Sequence, residues 1–197
     1  MMNYSKQLFL GLWGLSLVSL SCEGQKKVDD IVAKGAELTL VSDTFEFTEG
    51  PAMDKSGDVY FTDQPNDRIV KWSASDNTVT DYMKPAGRAN GLYFDDEGNL
   101  LAAADEKNEL WRIATDKKVT VVIDNFEEKK LNGPNDIWVD QKEGIYFTDP
   151  FYKRSWWQHT EPEQSARRVY YLAANTSEPR VVIDDNYEQP NGIIGTP

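Results

Sequence analysis

Four polar residues recur at one phase of the sequence: Glu49, Asn90, Asn135 and Asn191. The first three each stand five positions before an Asp, namely Asp54, Asp95 and Asp140. One carboxylate and three amide carbonyls, if brought together, form a set of oxygen donors, and hard divalent cations such as calcium bind to sets of this kind. The only cysteine, Cys22, is distant in sequence, and the only histidine, His159, falls in a loop. That argues against a structural zinc site, which needs thiolate and imidazole ligands. A structural reading of the same residues also exists, because Asn often hydrogen-bonds exposed backbone at turns and junctions. It accounts for the three Asn residues better than for Glu49.

The elements that must position these residues follow from their spacing. The intervals are 41 residues from Glu49 to Asn90, 45 to Asn135 and 56 to Asn191. Each copy reads as four strands. An opening strand is followed by a turn at Lys55-Ser56-Gly57 or Asp96-Glu97-Gly98, where Gly and Asp supply the tight geometry. A β-branched and aromatic run comes next, Val59–Thr62 in the first copy and Ile145–Thr148 in the third. A third strand alternates charged and apolar residues at 68–72, 109–113 and 168–172, and a fourth lies at 78–82, 119–123 and 180–183. No stretch beyond the first 22 residues has helical periodicity.

Four antiparallel strands every 40 to 45 residues is the signature of a propeller blade. The fold class expected is therefore all-β and propeller-like, with about three complete blades and the start of a fourth. A β-sandwich with chance similarity between strands is the competing architecture, and it gives no reason for polar residues to recur in phase. Closure removes the open sheet edges of a propeller, so the sequence reads as a C-terminally truncated piece, or as one completed by another chain. The first strand of each blade lies nearest the axis, which is expected to bring Glu49, Asn90, Asn135 and Asn191 around one channel.

The long third interval locates an insertion between the second and third strands, in residues 150–167. It carries Phe151, Tyr152, Trp156, Trp157 and His159. Aromatic faces suit the apolar side of a sugar ring, which makes a substrate lid one expectation and packing on a neighbouring blade the other. Asp63 and Asp149 end second strands, either as partners of the site or as turn caps. Glu127-Glu128-Lys129-Lys130 reads as a solvated loop face.

The motifs Thr48-Glu49-Gly50-Pro51, Tyr60-Phe61-Thr62-Asp63, Gly133-Pro134-Asn135-Asp136, Tyr146-Phe147-Thr148-Asp149-Pro150 and Pro190-Asn191-Gly192 resemble the successive signatures of the gluconolactonase and regucalcin family. The similarity runs from about Glu37 to the last residue. It implies a six-bladed propeller that binds one divalent metal and hydrolyses sugar lactones or related esters. Calcium is the favoured ion, with zinc, manganese or magnesium as alternatives. On this resemblance Glu49, Asn135 and Asn191 are metal ligands, and Asn90, Arg88 and Asn135 are substrate-binding candidates. Some members carry an Arg where this chain has Gly133, and Arg88 is the candidate to replace that charge. The general-base Asp of the family is expected beyond Pro197, so the 197-residue chain alone is expected to be inactive. An ester or phosphotriester hydrolase and a non-catalytic binding propeller are the other functions consistent with these residues.

The chain carries 33 acidic and 21 basic residues, a formal charge of -12. Such a surface repels phosphate backbones, which argues against nucleic acid as a partner. A sugar lactone is the partner expected. At the N-terminus, Lys6 leads into an apolar run from Leu8 to Leu20 and then Ser21-Cys22. A core of roughly a dozen apolar residues is short for a membrane span and right for a signal peptide. The setting of Cys22 resembles a bacterial lipoprotein cleavage site. Residues 1–22 are thus read as a signal peptide with Cys22 as the lipidation candidate, and 23–36 as a linker. The propeller is read over 37–197. An exported, periplasmic or lipid-anchored protein is expected, with plain secretion or a buried N-terminal segment as the alternatives.

Overall fold

The computed structural model describes residues 33–184 and 187–196. The signal segment and Cys22 expected from the sequence lie outside the described residues. Two compact units divide the chain at Thr39 and Leu40. Of the first, residues 33–39 are described, with a turn at Lys34-Gly35 closed by a 2.9 Å bond from Ala36 N–H to the Ala33 carbonyl.

The second unit contains three four-stranded antiparallel sheets, each a simple meander. Blade 1 is β1 (Thr48–Met53), β2 (Val59–Asp63), β3 (Arg68–Trp72) and β4 (Val79–Met83). Blade 2 is β5 (Ala89–Phe94), β6 (Leu100–Ala104), β7 (Glu109–Ile113) and β8 (Val119–Ile123). A small hairpin follows, β9 (Asn125–Phe126) and β10 (Lys129–Lys130). Blade 3 is β11 (Ile137–Val139), β12 (Ile145–Asp149), β13 (Arg168–Leu172) and β14 (Arg180–Asp184). The register repeats from blade to blade: Asp63 faces Arg68, Ala104 faces Glu109 and Asp149 faces Arg168.

The Asp five positions after each of the first three phase residues closes the first hairpin of its blade. Asp54 Oδ1 accepts the N–H groups of Ser56 and Asp58, Asp95 Oδ1 that of Asn99, and Asp140 Oδ1 those of Lys142 and Gly144. Short acidic side chains stabilise turns in this way by bonding the backbone two to four residues on. Apolar residues from facing blades form two clusters. One joins blades 1 and 2 through Tyr60, Ile69, Leu92, Leu100 and Ile113. The other joins blades 2 and 3 through Leu101, Leu110, Ile137, Phe147 and Tyr170. Strand β6 is buried along its whole length because it feeds both clusters, which is why it reads Leu-Leu-Ala-Ala-Ala where its counterparts carry aromatics.

Three local features differ from the sequence reading. β11 begins at Ile137, two residues after Asn135, so the polar residue precedes its strand. The fourth opening segment, 191–196, is in no strand and lies along blade 3, with Ile193 N–H bonded to Asp136 Oδ2 at 2.9 Å and Gly195 against the Trp138 ring. The acidic-basic run at 127–130 is solvent-exposed as expected, yet it forms the tip and return of the β9–β10 hairpin. Glu127 and Glu128 both have positive φ, 51° and 62°. That is the two-residue turn that matches strand twist, built without the Asn or Gly that would have announced it.

Candidate functional site

The scaffold occupies the main-chain carbonyls of all four phase residues. Thr62 Oγ1 donates to the carbonyls of Glu49 (3.1 Å) and Asn90 (3.0 Å). Gly91 N–H donates to the Asn135 carbonyl at 2.7 Å, and Thr148 Oγ1 to that of Asn191, also at 2.7 Å. Each bond but the first crosses from one blade to the next. Junctions are thus made by threonine hydroxyls and backbone, and the side chains of Glu49, Asn90 and Asn135 make no hydrogen bond among the described residues. Asn90 Oδ1 is buried and unpartnered, an expensive condition for a polar atom.

The glycine after a phase residue permits this approach. A methyl group added at Gly50 would lie 2.5 Å from the Asn90 carbonyl, and one at Gly91 would meet Asp136 Oδ1 and the Asn135 carbonyl. Gly50 also has φ +49°, in the left-handed region that favours glycine.

Asp63 and Asp149 clamp the segment that enters their own blade. Asp63 Oδ1 accepts the N–H groups of Glu46 and Phe47, and Asp149 those of Asn132 and Gly133, at the same sequence offsets of 17 and 16. These are long-range structural clamps, which differ from the local turn caps expected from sequence. Burial works against ionisation of Asp63, but Asn66, Arg68 and the two backbone donors outweigh it and hold its pKa below the ordinary value. Asp149 lacks that cation, because Arg168 turns to Asp184 at 2.7 Å. Burial accordingly pushes Asp149 up to about 7, against its two N–H donors, with the nearby Asp105 charge adding to the rise. Blade 2 has Ala104 at this position, and Asp67 of blade 1 binds the N–H groups of Ala86 and Arg88 instead.

Glu49, Asn135 and Asn191 line one cavity of about 160 Å³, together with Gly91, Asp136 and Gly192. At about 30 Å³ per water in the liquid, it holds a cation with a few waters. Asn90 is not in its lining, although its neighbour Gly91 is. Arg88 is engaged elsewhere: its guanidinium donates to the Pro65 carbonyl at 3.0 Å and lies 4.4 Å from the Trp156 ring centroid. A larger recess of about 330 Å³ lies at the other end of the strands, among hairpins carrying Asp95, Asp140 and Glu143. Its carboxylates are partly committed to turns, as described above, so the smaller cavity is the better candidate site. The donor set there fits a hard divalent ion: the Glu49 carboxylate, a second carboxylate at Asp136 that accepts the Ile193 N–H, amide oxygens without partners, no sulfur and no imidazole. Among the described residues no three His, Cys, Asp or Glu side chains converge, so such an ion would depend on the amides.

The insertion after Asp149 packs over the same end of the blades. Arg154 Nε binds Asp105 Oδ2 at 2.6 Å, and Trp157 Nε1 donates to the Asp105 carbonyl at 2.8 Å. Burial raises Asp105 to about 6 against the pull of Arg154 and Gln64. Trp157 fills the space beside Gly133, where an added carbon would lie 2.8 Å from its ring. At the other side, Gln189 bonds both the N–H and the carbonyl of Phe151 at 2.9 Å, and Asn191 Nδ2 lies 3.2 Å from the Tyr152 hydroxyl. Packing on a neighbouring blade, one of the two roles expected for the insertion, is therefore observed. Asp136 and Asp105 escaped the sequence reading. The signal for Asp136 was an Asn-Asp where the other copies have polar-Gly; for Asp105 it was an acidic residue one place later than in the other blades.

The chain matches the family model described as SMP-30/Gluconolactonase/LRE-like region over residues 47–197. A gluconolactonase from Zymomonas mobilis subsp. mobilis is 24% identical over 187 residues, covering 87% of this chain and 52% of its own length. The chain thus spans about half the length of that curated relative. Among solved structures, one assigned as a gluconolactonase superposes with a TM-score of 0.76 at 29% identity, over 85% of this chain and 59% of that one. A Xanthomonas campestris gluconolactonase, described as important in glucose secondary metabolic pathways, gives 0.69 at 26%, over 73% and 49%. The propeller meander, the repeated junctions and the extent of the family match agree, and the chain belongs to the SMP-30/gluconolactonase/LRE-like family.

Proposed function

We propose that the intact protein, as a six-bladed ring, hydrolyses sugar lactones with the help of one divalent cation, calcium by the hardness of the donors. The observation that supports this reading is the meeting of Glu49, Asn135 and Asn191 in one cavity. Glu49 supplies the only formal negative charge among these three, Asn135 and Asn191 supply neutral oxygens, and Asp136 stands beside them. Burial raises the Asp136 carboxyl against the N–H groups of Ile193 and Ile137. Its bond to Ile193 keeps it as a strut between blade 3 and the next segment. A bound cation of this kind polarises a lactone carbonyl and lowers the pKa of water. The chain's own part is to present three oxygens from three successive opening segments, one of which, Asn191, the insertion reaches through the Tyr152 hydroxyl. The general base belongs, on the family resemblance, to a later blade. Export, with Cys22 as a lipid attachment point, is part of the same proposal.

The test is a substrate panel on the full-length protein, comprising sugar lactones, aryl esters and phosphotriesters, each with and without a chelator. Lactone turnover that is lost with chelator and restored by calcium is expected. Turnover confined to the other esters, or unaffected by chelator, would overturn the assignment, and binding without turnover would mark a non-catalytic propeller.

A further inference from the structure

An amide can present its oxygen or its NH2 to a site, and a hydrogen bond that occupies one end decides which. Asn191 lines the cavity with Glu49 and Asn135, and its Nδ2 is 3.2 Å from the Tyr152 hydroxyl. We propose that Tyr152 is a positioning residue for this cavity: by taking the Asn191 NH2 it leaves Oδ1 as the group offered to a cation. The inference rests on the reading of Asn191 as an oxygen donor and deepens it.

Tyr152 is itself held from both sides. On one, Gln189 bonds the neighbouring Phe151 through two 2.9 Å hydrogen bonds, which ties the start of the insertion to the segment leading into Asn191. On the other, the Arg154 guanidinium lies 5.7 Å from the Tyr152 ring centroid and is anchored by Asp105 of blade 2. The insertion is therefore a brace running from blade 2 to the fourth opening segment, with the tyrosine hydroxyl at its working point. Neither Trp157 nor His159, which stack with centroids 4.7 Å apart, has a hydrogen bond to a residue lining the cavity. Outer partners that orient a ligand typically tune metal affinity about 10- to 100-fold.

The experiment is calorimetric titration of the chelator-stripped full-length protein with calcium, with thermal unfolding as the check on folding. Tyr152→Phe is expected to weaken calcium binding about 10-fold, while His159→Phe stays within twofold of wild type. In an Asn191→Asp background the carboxylate has no amide to orient, so adding Tyr152→Phe is expected to change affinity by less than about threefold. Gln189→Leu, which frees the start of the brace, is expected to give an intermediate loss. Wild-type binding with an unchanged Tyr152→Phe, or an equal loss in the Asn191→Asp background, would overturn the positioning role. Absence of calcium binding by the wild type would instead overturn the oxygen-donor reading, and the role of Tyr152 with it.

Discussion

Gly91 is a point of close approach between blades 2 and 3. A methyl group there would lie 2.6 Å from the Asn135 carbonyl and 2.7 Å from Asp136 Cα, both main-chain atoms that cannot turn aside. Gly91→Ala is therefore expected to destabilise the protein by about 2–3 kcal/mol, in the range for overpacking a close contact. Gly98→Ala has no neighbour within 4 Å and suffers only its φ of +85°, so about 1 kcal/mol is expected. Urea denaturation of the two variants checks the difference, and equal losses would show that the blade junction is not as tight as described. At the site, Glu49→Gln removes the only formal charge among Glu49, Asn135 and Asn191. Calcium affinity is expected to fall on the order of 100-fold, since ligand charge sets affinity in such sites. The fold should survive, because the Glu49 side chain carries no scaffold bond and only its carbonyl is used by Thr62. Isothermal titration against the unfolding midpoint separates the two effects. Glu49, Asn135 and Asn191 could be singled out because polar side chains recur at one phase of a strand repeat, but the same phase also marked Asn90, which lies outside the cavity lining. Asp136 could not be, because its part in the cavity depends on a partner 57 residues later, at Ile193.

The strands could be read from alternation and turn chemistry, and the third strands at 68–72, 109–113 and 168–172 agree residue for residue with the structure. Where the reading fell short, the cause was a long-range contact. The β9–β10 hairpin has no turn residue to mark it, and Gln164 holds it by donating to the carbonyls of Phe126, Lys129 and Lys130. The insertion's path depends on Asp105, whose displacement by one residue from the Thr-Asp pattern turns it toward Arg154, Gln64 and Trp157. This element carries a pH prediction. Asp105 rises to about 6 in the fold, so below that pH it takes a proton and its ion pair with Arg154 is lost. A carboxyl whose pKa is raised by folding binds more protons folded than unfolded between about 4 and 6. Its own contribution to global stability therefore grows as the pH falls through that window, while the brace it anchors loosens. Tryptophan fluorescence from Trp156 and Trp157 is expected to shift with a midpoint near 6. Asp105→Asn should abolish the transition, leaving only whatever Asp149, which burial pushes up to about 7, contributes. A transition that persists unchanged in the variant would assign it to Asp149.

At the scale of the whole molecule, two features from different parts of the chain bear on where the protein works. The second unit carries three propeller-like blades and a cavity of about 160 Å³, and the acidic excess of the chain, -12, turns it away from polyanions. Among the described residues no helix is long and apolar enough to cross a membrane. Ahead of the propeller stands the sequence from Lys6 to Cys22, read as a leader that ends at a lipid-accepting cysteine. On that reading the thiol of Cys22 carries the anchor, and residues 23–36 are the linker that follows it. Stable anchoring by acyl chains scales at about 0.8 kcal/mol per buried CH2, and one chain alone binds only reversibly. Lipoprotein-type modification, with more than one chain, is expected to keep the protein in the membrane fraction through a salt wash that would release a charge-bound protein. Labelling cells with radioactive palmitate is expected to mark the wild-type protein and leave Cys22→Ser unmarked. The variant should also move to the soluble or uncleaved fraction. Equal labelling of the two would remove the anchor and leave export by a plain signal peptide, or retention of the apolar segment, as the explanation. Lactone turnover per mole of protein is expected to be the same for both, since residue 22 lies far in sequence from Glu49, Asn135 and Asn191.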